Sequence, residues 1–230
     1  MEPFERNIEV WGKENQTKLR ETSVIIGGVG GIGSAVAEIL VRSGIGHITL
    51  IDNGRVDIPD LNRQFLYTYD DIGKFKVDVA CSKLIKIGID CKIVPMNIRI
   101  EDNPEFYDGI DKLNFDVAMD CLDNYTSRFA FEKIVNGGQY LISGGVVNNF
   151  GQVITLKKGG SITLSEIYDG LADETIIGVI PQIIMNIASI MTSECVKCIT
   201  GKPKLLNRFL VIDLENYNFD FIELEGATDG

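Results

Sequence analysis

Two groups of polar side chains have the types and spacing for chemistry on phosphates. Arg63 and Lys76 lie in the segment DIPDLNRQFLYTYDDIGKFKVD, and Asp123 and Asn124 lie in MDCLDNYTSR. Guanidinium and ammonium groups neutralise phosphate charge, and carboxylate and amide oxygens are ligands that suit Mg²⁺. These residue types together favour a site for a polyphosphate and its metal ion.

A glycine-rich turn precedes these residues. Gly28, Gly30 and Gly33 form G-x-G-x-x-G, and Asp52 follows roughly 20 residues later at the end of the next apolar run. Such glycines let backbone N–H groups approach phosphates at a helix N-terminus, and the acid can accept a ribose hydroxyl. The pattern favours a nucleotide over a purely structural turn, but it does not separate NAD, FAD, ATP and S-adenosylmethionine.

The first polar segment narrows the choice of nucleotide. A dehydrogenase keeps its phosphates on the glycine turn, whereas Arg63 and Lys76 indicate further negative charge, such as a triphosphate whose pyrophosphate departs. These residues favour ATP. The alternative is surface salt bridging between the bases and neighbouring acids such as Asp57 and Asp60.

The second polar segment follows a later apolar run. Carboxyl ends of parallel strands meet at the ligand-binding edge of a sheet, so Asp120, Asp123 and Asn124 are expected beside the phosphates, where they could hold Mg²⁺. The alternative is that Asp123 or Asn124 is the N-cap of the next helix, which is compatible with a ligand role.

Composition argues against several other functions. The formal net charge of −11 disfavours general binding to nucleic acid or acidic lipid. The first residues lack the apolar core of a signal peptide, and no run reaches the ~18 apolar residues of a membrane span, so we expect a cytoplasmic protein. The single histidine, His47, is expected at the amino edge of the sheet, which disfavours Ser-His-Asp and H-E-x-x-H chemistry.

The five cysteines are odd in number and scattered, which is typical of reduced thiols. Only Cys195 and Cys198 form C-x-x-C, and a zinc site would need a second such pair. No zinc is therefore expected.

The elements that must position these residues alternate along the first two thirds of the chain. Strand-length apolar runs alternate with helical segments, which predicts an α/β fold with a Rossmann-like, doubly wound, mostly parallel sheet. From about residue 149 an antiparallel C-terminal half is expected. FGQVITLKKGGSITL indicates a hairpin, a long helix is predicted over Pro181–Ile199, and two terminal strands are predicted to join at 215–218.

Four motifs in a fixed order resemble one known family. RNIEVWGKENQTKLRETSVIIGGVGGIGSA, LIDNGRVDIPDLNRQFL, DIGKFKVDVA and CLDNYTSR are similar to the ThiF/MoeB/HesA family, the activating enzymes of ubiquitin-like and sulfur-carrier proteins. The resemblance extends from about residue 4 to 223, and it also includes GQVITL and the late helix followed by GK.

The resemblance implies that MgATP and the C-terminal glycine carboxylate of a small β-grasp carrier ending in Gly-Gly react to give an acyl-adenylate and pyrophosphate. It also implies one adenylation domain over residues 1–230. Its parts would be an N-terminal arm (1–21), a nucleotide-binding half (22–148), an antiparallel carrier-binding half (149–225) and a tail (226–230) that we expect to be disordered.

Individual roles follow from the same resemblance. Nucleotide binding is implied for Gly28, Gly30, Gly31, Gly33, Asp52, Asn62, Gln64 and Asn124. Arg63 and Lys76 would stabilise the triphosphate charge, and Asp123 would bind Mg²⁺. Arg6 matches a family arginine that reaches the active site of a neighbouring subunit, which implies a homodimer.

Two departures from the family pattern concern charge. Gly54 stands where relatives usually have an acid, and Asp60 stands where they usually have asparagine. A carboxylate at Asp60 would repel phosphates unless Mg²⁺ or a base intervenes. The alternative function is therefore a non-catalytic partner subunit that binds nucleotide or carrier protein.

A third departure concerns sulfur. No cysteine lies between Cys121 and Cys195, where thioester-forming or persulfide-forming relatives place a reactive one. We therefore predict that the protein stops at the adenylate and hands it to another enzyme's sulfur or amine.

A further alternative, an NAD-dependent oxidoreductase, lacks an evident proton donor. The apolar stretch 176–191 is expected to cover the sheet or a dimer interface, with a groove for the carrier's tail as the alternative.

Overall fold

Helices and strands follow one another largely as the sequence pattern predicts. The computed structural model describes residues 3–160, 162–171 and 178–224. The helices are Glu5–Glu21 (α1), Gly31–Ser43 (α2), Lys76–Ile85 (α3), Pro104–Ile110 (α4), Tyr125–Glu132 (α5), Leu164–Ile167 (α6) and Pro181–Ile199 (α7). The strands are Ser23–Gly27 (β1), His47–Ile51 (β2), Lys92–Met96 (β3), Val117–Asp120 (β4), Tyr140–Val147 (β5), Phe150–Lys157 (β6), Arg208–Asp213 (β7) and Asn218–Glu223 (β8).

The strands form one eight-stranded sheet in the order β3-β2-β1-β4-β5-β6-β7-β8. Neighbours from β3 to β5 are parallel, and β6, β7 and β8 continue the sheet antiparallel. Strand β5 belongs to both halves, because it pairs with β4 over 140–143 and with β6 over its whole length. The predicted fold class is confirmed.

The core lies on both faces of this sheet. Successive side chains of a strand point to opposite faces, so Val24 and Ile26 of β1 pack in a cluster with residues of α2, α3 and α7, whereas Ile25 packs with residues of α4, α5 and α6. Burial on both sides explains why the parallel strands are continuous apolar runs.

Helix α7 covers the junction between the two halves of the sheet. Ile183, Ile187 and Met191 are buried, and a Cβ at Gly144 of β5 would lie 2.3 Å from the Met191 sulfur. The predicted bounds of this helix and its role in covering the sheet are confirmed for the described part of 176–191, which begins at residue 178. None of the helices in the described ranges combines the length and apolar character that crossing a bilayer requires.

The hairpin predicted within FGQVITLKKGGSITL is wrong in its second half. Strand β6 has β5 as its antiparallel partner, and the segment after residue 161 leads into α6. The reason is a capping box, in which the Thr163 hydroxyl accepts from the Glu166 N–H (3.3 Å) and the Glu166 carboxylate accepts from the Thr163 N–H (2.9 Å). The 1–21 arm is mostly helix α1, and the predicted tail 226–230 lies outside the described residues.

Close packing at the start of α2 generates a prediction. A Cβ at Gly33 would lie 1.9 Å from the Gly28 carbonyl oxygen, so Gly33→Ala forces the helix away from β1. We expect a loss of at least about 2 kcal/mol in the free energy of unfolding in urea. Gly137→Ala is the control, because a Cβ there meets nothing within 4 Å, and it should change stability by less than about 0.5 kcal/mol. Equal losses of stability in the two variants would contradict the close approach of Gly33 to the Gly28 carbonyl.

Candidate active site

A cavity of about 1210 Å³ lies at the carboxyl ends of β1, β2 and β4. Its volume exceeds the range of roughly 300–1,000 Å³ that is usual for small-molecule sites, so it has room for more than a nucleotide. A smaller cavity of about 150 Å³ lies at the opposite edge, beside Ser23 and His47. The larger one is the candidate site, because doubly wound sheets bind ligands at their carboxyl edge.

The glycine turn forms one wall of the cavity. Gly28, Gly30 and Gly31 line it, whereas Gly33 lies behind them and permits the close packing of α2. Gly28 has a φ of 83°, and a Cβ there would lie 2.9 Å from the Cys121 carbonyl oxygen. A side chain at Gly28 would therefore be strained and would also collide with the backbone after β4.

Asp52, at the end of β2, holds this turn in place. One carboxylate oxygen accepts from the Val29 N–H at 2.7 Å, and the other accepts from the Gly54 N–H at 2.6 Å. Each carboxylate oxygen has a second lone pair. Asp52 lines the cavity and can thus accept a ribose hydroxyl without releasing the backbone.

Arg63 and Lys76 line the cavity from the polar segment and are held by a carboxylate behind them. The Lys76 ammonium lies 3.2 Å from Asp60 Oδ2, and Arg63 Nη2 lies 3.7 Å from Asp60 Oδ1. Gln64 also lines the cavity, and its amide donates to Asp60 Oδ1 at 2.7 Å. The salt bridges that the sequence left as an alternative do exist, but their cations face the cavity.

Asp123 and Asn124 lie on the opposite wall, after β4. Asn124 is the N-cap of α5, since its amide oxygen accepts from the Ser127 N–H at 2.8 Å. Its amide nitrogen donates to Asp123 Oδ1 at 3.1 Å, so Asn124 orients the exposed carboxylate of Asp123. The N-cap interpretation is confirmed.

This wall fits Mg²⁺ only when phosphates complete the ligand set. Within the described residues, no group of three or more His, Cys, Asp or Glu side chains is arranged to hold a metal ion. Mg²⁺ is commonly held by one or two carboxylates together with substrate phosphates and water. The exposed carboxylate of Asp123 suits that mode.

Arg128 lies at the floor of the cavity and joins β4 to β5 by hydrogen bonds. No role was predicted for it from the sequence. Its guanidinium donates to Asp120 at 2.6 Å, to the Ser143 hydroxyl at 2.9 Å and to the Gly144 carbonyl at 2.8 Å, and it also donates to the Leu122 carbonyl. Burial opposes its charge, but the Asp120 carboxylate keeps the pKa of Arg128 raised. Its position four residues after the Asn124 cap was the available signal, because that spacing brings it back to the same helix face.

The rest of the cavity extends over the antiparallel half. It is lined by backbone and apolar groups of β5 and β6, including Gly145, Val146 and Gly151. Gln152 and Tyr168 are joined by a 2.7 Å hydrogen bond between the amide nitrogen and the phenol oxygen. This region is a largely apolar channel with a few polar groups. The alternation of residues along the strands did not predict that the cavity would extend over β5 and β6.

Three predicted site residues do not line the cavity: Gly33, which lies behind the glycine turn, Asn62 and Arg6. Asn62 is exposed, and its amide oxygen accepts from Arg63 Nη1 at 3.1 Å, so it contacts the site through that arginine. Arg6 is exposed on α1. Its role toward a neighbouring subunit stays a prediction.

The cysteine thiols are poor nucleophiles. Burial raises the pKa of all five, to about 12 for Cys91 and Cys195 and also above the usual value for Cys81, Cys121 and Cys198. Cys121 lines the cavity, but nearby Asp120 also disfavours its thiolate. Thiolates are the reactive form of cysteine, so these thiols are suited to packing rather than to covalent chemistry.

The chain belongs to the ThiF family, whose model matches residues 4–229. This match confirms the resemblance that the four sequence motifs indicated.

Individual relatives carry related names. The chain is 28% identical over 210 residues to a probable molybdopterin-synthase adenylyltransferase of Porphyra purpurea, covering 86% of this chain and 53% of the relative. It is 28% identical over 215 residues to the heterocyst protein HesA of Trichormus variabilis, covering 91% of this chain and 79% of the relative. The chain spans about half the length of the first of these proteins.

A solved structure of E. coli MccB with ATP has the same fold. Its TM-score is 0.80 at 25% sequence identity, and the match covers 97% of this chain and 71% of MccB.

The buried ion pair yields a second prediction. Arg128→Met leaves Asp120 as a buried charge without its partner, so we expect a loss of about 3–5 kcal/mol in urea unfolding. Arg42→Met removes an exposed pair with Glu38 on α2 and should cost less than about 1 kcal/mol. Similar losses in the two variants would show that Arg128 does not brace the junction of β4 and β5.

Proposed function

We propose that this chain transfers the adenylyl group of ATP to the C-terminal glycine carboxylate of a small β-grasp ubiquitin-like or sulfur-carrier protein. The observation that carries the proposal is the convergence of Arg63, Lys76 and Asp123 with the glycine turn on one cavity. Names of relatives with adenylyltransferase activity and the MccB structure with ATP support it.

Each wall of the cavity has a task in this reaction. The glycine turn and Asp52 hold the nucleoside and the nearer phosphates, while Arg63 and Lys76 neutralise charge that accumulates on the departing pyrophosphate. Mg²⁺, when bound, would supply further neutralisation of the phosphate charge. Asp123, oriented by Asn124, is the residue that would hold it.

The acceptor needs no general base. A C-terminal carboxylate has a reference pKa of about 3.3–3.7 and is ionised at neutral pH. Its oxygen forms a bond to the α-phosphorus as the bond from that phosphorus to the bridging oxygen breaks, and the electron pair leaves with pyrophosphate. The protein supplies position and charge neutralisation, which suits a chain with one histidine far from the cavity.

The channel over β5 and β6 would receive the extended tail of the carrier. Residues 149–225 thereby form the carrier-binding half, and residues 22–148 the nucleotide-binding half, of a single domain. We assign Arg6 to the site of a second copy in a homodimer. Because burial raises the pKa of the thiols, the product remains an acyl-adenylate until another enzyme's sulfur or amine attacks it.

Nucleotide binding is testable without knowing the carrier. MgATP at about 100 times its Kd should stabilise the protein by ~2.7 kcal/mol and raise its Tm by roughly 5–10 °C. ATP with chelator should give a smaller shift, and NAD should give none. Arg63→Ala and Lys76→Ala should reduce the MgATP shift, because each removes a cation that lines the cavity.

Lys74→Ala is the matched control for those variants. Lys74 lies on the same segment, is 57% exposed and pairs with Asp71 rather than facing the cavity. Its MgATP shift should equal that of the wild type. An equal shift with NAD would favour an oxidoreductase, and no shift with any nucleotide would favour a non-catalytic subunit that recruits a carrier.

The acceptor is tested by exchange of labelled pyrophosphate into ATP. Exchange should appear when a purified β-grasp carrier ending in Gly-Gly is added, and it should disappear when the terminal glycine of that carrier is deleted. Arg63→Ala should lower the exchange rate by a factor of about 100 or more, the scale of losing one transition-state charge partner. Exchange that persists with the shortened carrier would contradict the proposed acceptor.

A further inference from the structure

We propose that Asp60 is the counter-ion of the two phosphate-binding cations and shifts the preference of this site from metal-free towards magnesium-bound triphosphate. The inference rests on the proposed function, because it requires a triphosphate in the cavity. It assigns a role to a residue that does not itself line the cavity.

The contacts of Asp60 place it behind the phosphate-binding wall, which is the part of the cavity lined by Arg63, Gln64 and Lys76. Its side chain is 13% exposed, and it lies 3.2 Å from the Lys76 ammonium and 3.7 Å from the Arg63 guanidinium. The Gln64 amide holds one of its oxygens at 2.7 Å. One carboxylate therefore contacts three groups of the wall.

This carboxylate has a structural task as well. Asp60 Oδ2 accepts from the Asp57 N–H at 3.1 Å and completes a capping box on the short 3-10 turn 58–60. That bond fixes the carboxylate in position, but an amide oxygen could make it equally well. The negative charge is required only by the contacts with Lys76 and Arg63.

The charge balance gives the functional consequence. Arg63 and Lys76 together carry two positive charges, and Asp60 cancels one of them, so the wall offers a net charge of about +1 at neutral pH. Metal-free ATP is more negative than its magnesium complex, and repulsion from Asp60 grows with the charge on the ligand. Asp60 therefore penalises metal-free ATP more than MgATP.

Other groups facing Asp60 do not remove this penalty. Tyr67 lies beneath the wall, with its hydroxyl donating to the Val29 carbonyl at 2.6 Å. Burial, and then the carboxylates Asp52, Asp60 and Asp71, raise the pKa of Tyr67 above its usual range. The phenol is neutral, Asp71 is paired with Lys74 and Lys83, and Asp52 adds negative charge to the same region.

The test compares ATP affinity in excess Mg²⁺ with ATP affinity in chelator, measured by calorimetry on the full chain. The informative quantity is the ratio of the two dissociation constants. Asp60→Asn keeps an oxygen for the capping box but removes the charge, so the preference for MgATP should fall by roughly tenfold, the scale of one close charge in a partly hydrated site. A loss of packing would lower the affinity for MgATP and for metal-free ATP by the same factor and would leave the ratio unchanged.

Asp57→Asn is the matched control. It removes the same charge from the same turn, but Asp57 is exposed and its carboxylate accepts from the Ile58 N–H rather than from a cation of the wall. Its ratio should equal that of the wild type. The proposal is overturned if Asp60→Asn has the same ratio of dissociation constants as the wild type. It is also overturned if Asp57→Asn lowers the preference for MgATP as much as Asp60→Asn does. If the wild type binds neither form of ATP, the proposed function itself fails.

Discussion

The junction between the two halves of the sheet depends on the buried guanidinium of Arg128. It contacts Asp120 at the end of β4, the Leu122 carbonyl in the following loop, and Ser143 and Gly144 of β5. A buried charge is tolerated only when its partners satisfy it, so these contacts must form together. The arginine thereby fixes where the parallel strands end and where the loop that carries Asp123 begins.

The cavity follows from that junction and from the direction of the strands. Parallel pairing brings the ends of β1, β2 and β4 to one edge, while β5 continues past β4 and pairs with β6. Because β5 is longer than β4, the cavity extends from the ends of β1, β2 and β4 over β5 and β6. The part of the cavity lined by Arg63 and Lys76 and its apolar part are thus adjacent because one strand serves both halves.

Much of this arrangement could be predicted from the sequence, because local patterns act over short distances. The bounds predicted for α7 agree with the structure, and the glycine spacing located the turn after β1. The second strand of the hairpin predicted after β6 was wrong because the Thr163 capping box starts helix α6 there. The role of Arg128 was missed because its partners come from β4 and β5, whose proximity depends on tertiary structure.

The two departures from the family pattern that change charge, Gly54 and Asp60, lie beside the same residue, Lys76. In the family that the sequence resembles, position 54 is usually an acid and position 60 usually asparagine, whereas this chain has Gly54 and Asp60. A Cβ at position 54 would lie 2.9 Å from Asp52 Oδ1 and 3.5 Å from Lys76 Cδ, so both positions border the same lysine. In this chain the carboxylate near Lys76 comes from position 60 and not from position 54. Because Asp60 lies 3.2 Å from the Lys76 ammonium, this lysine keeps a negatively charged partner although position 54 has no side chain.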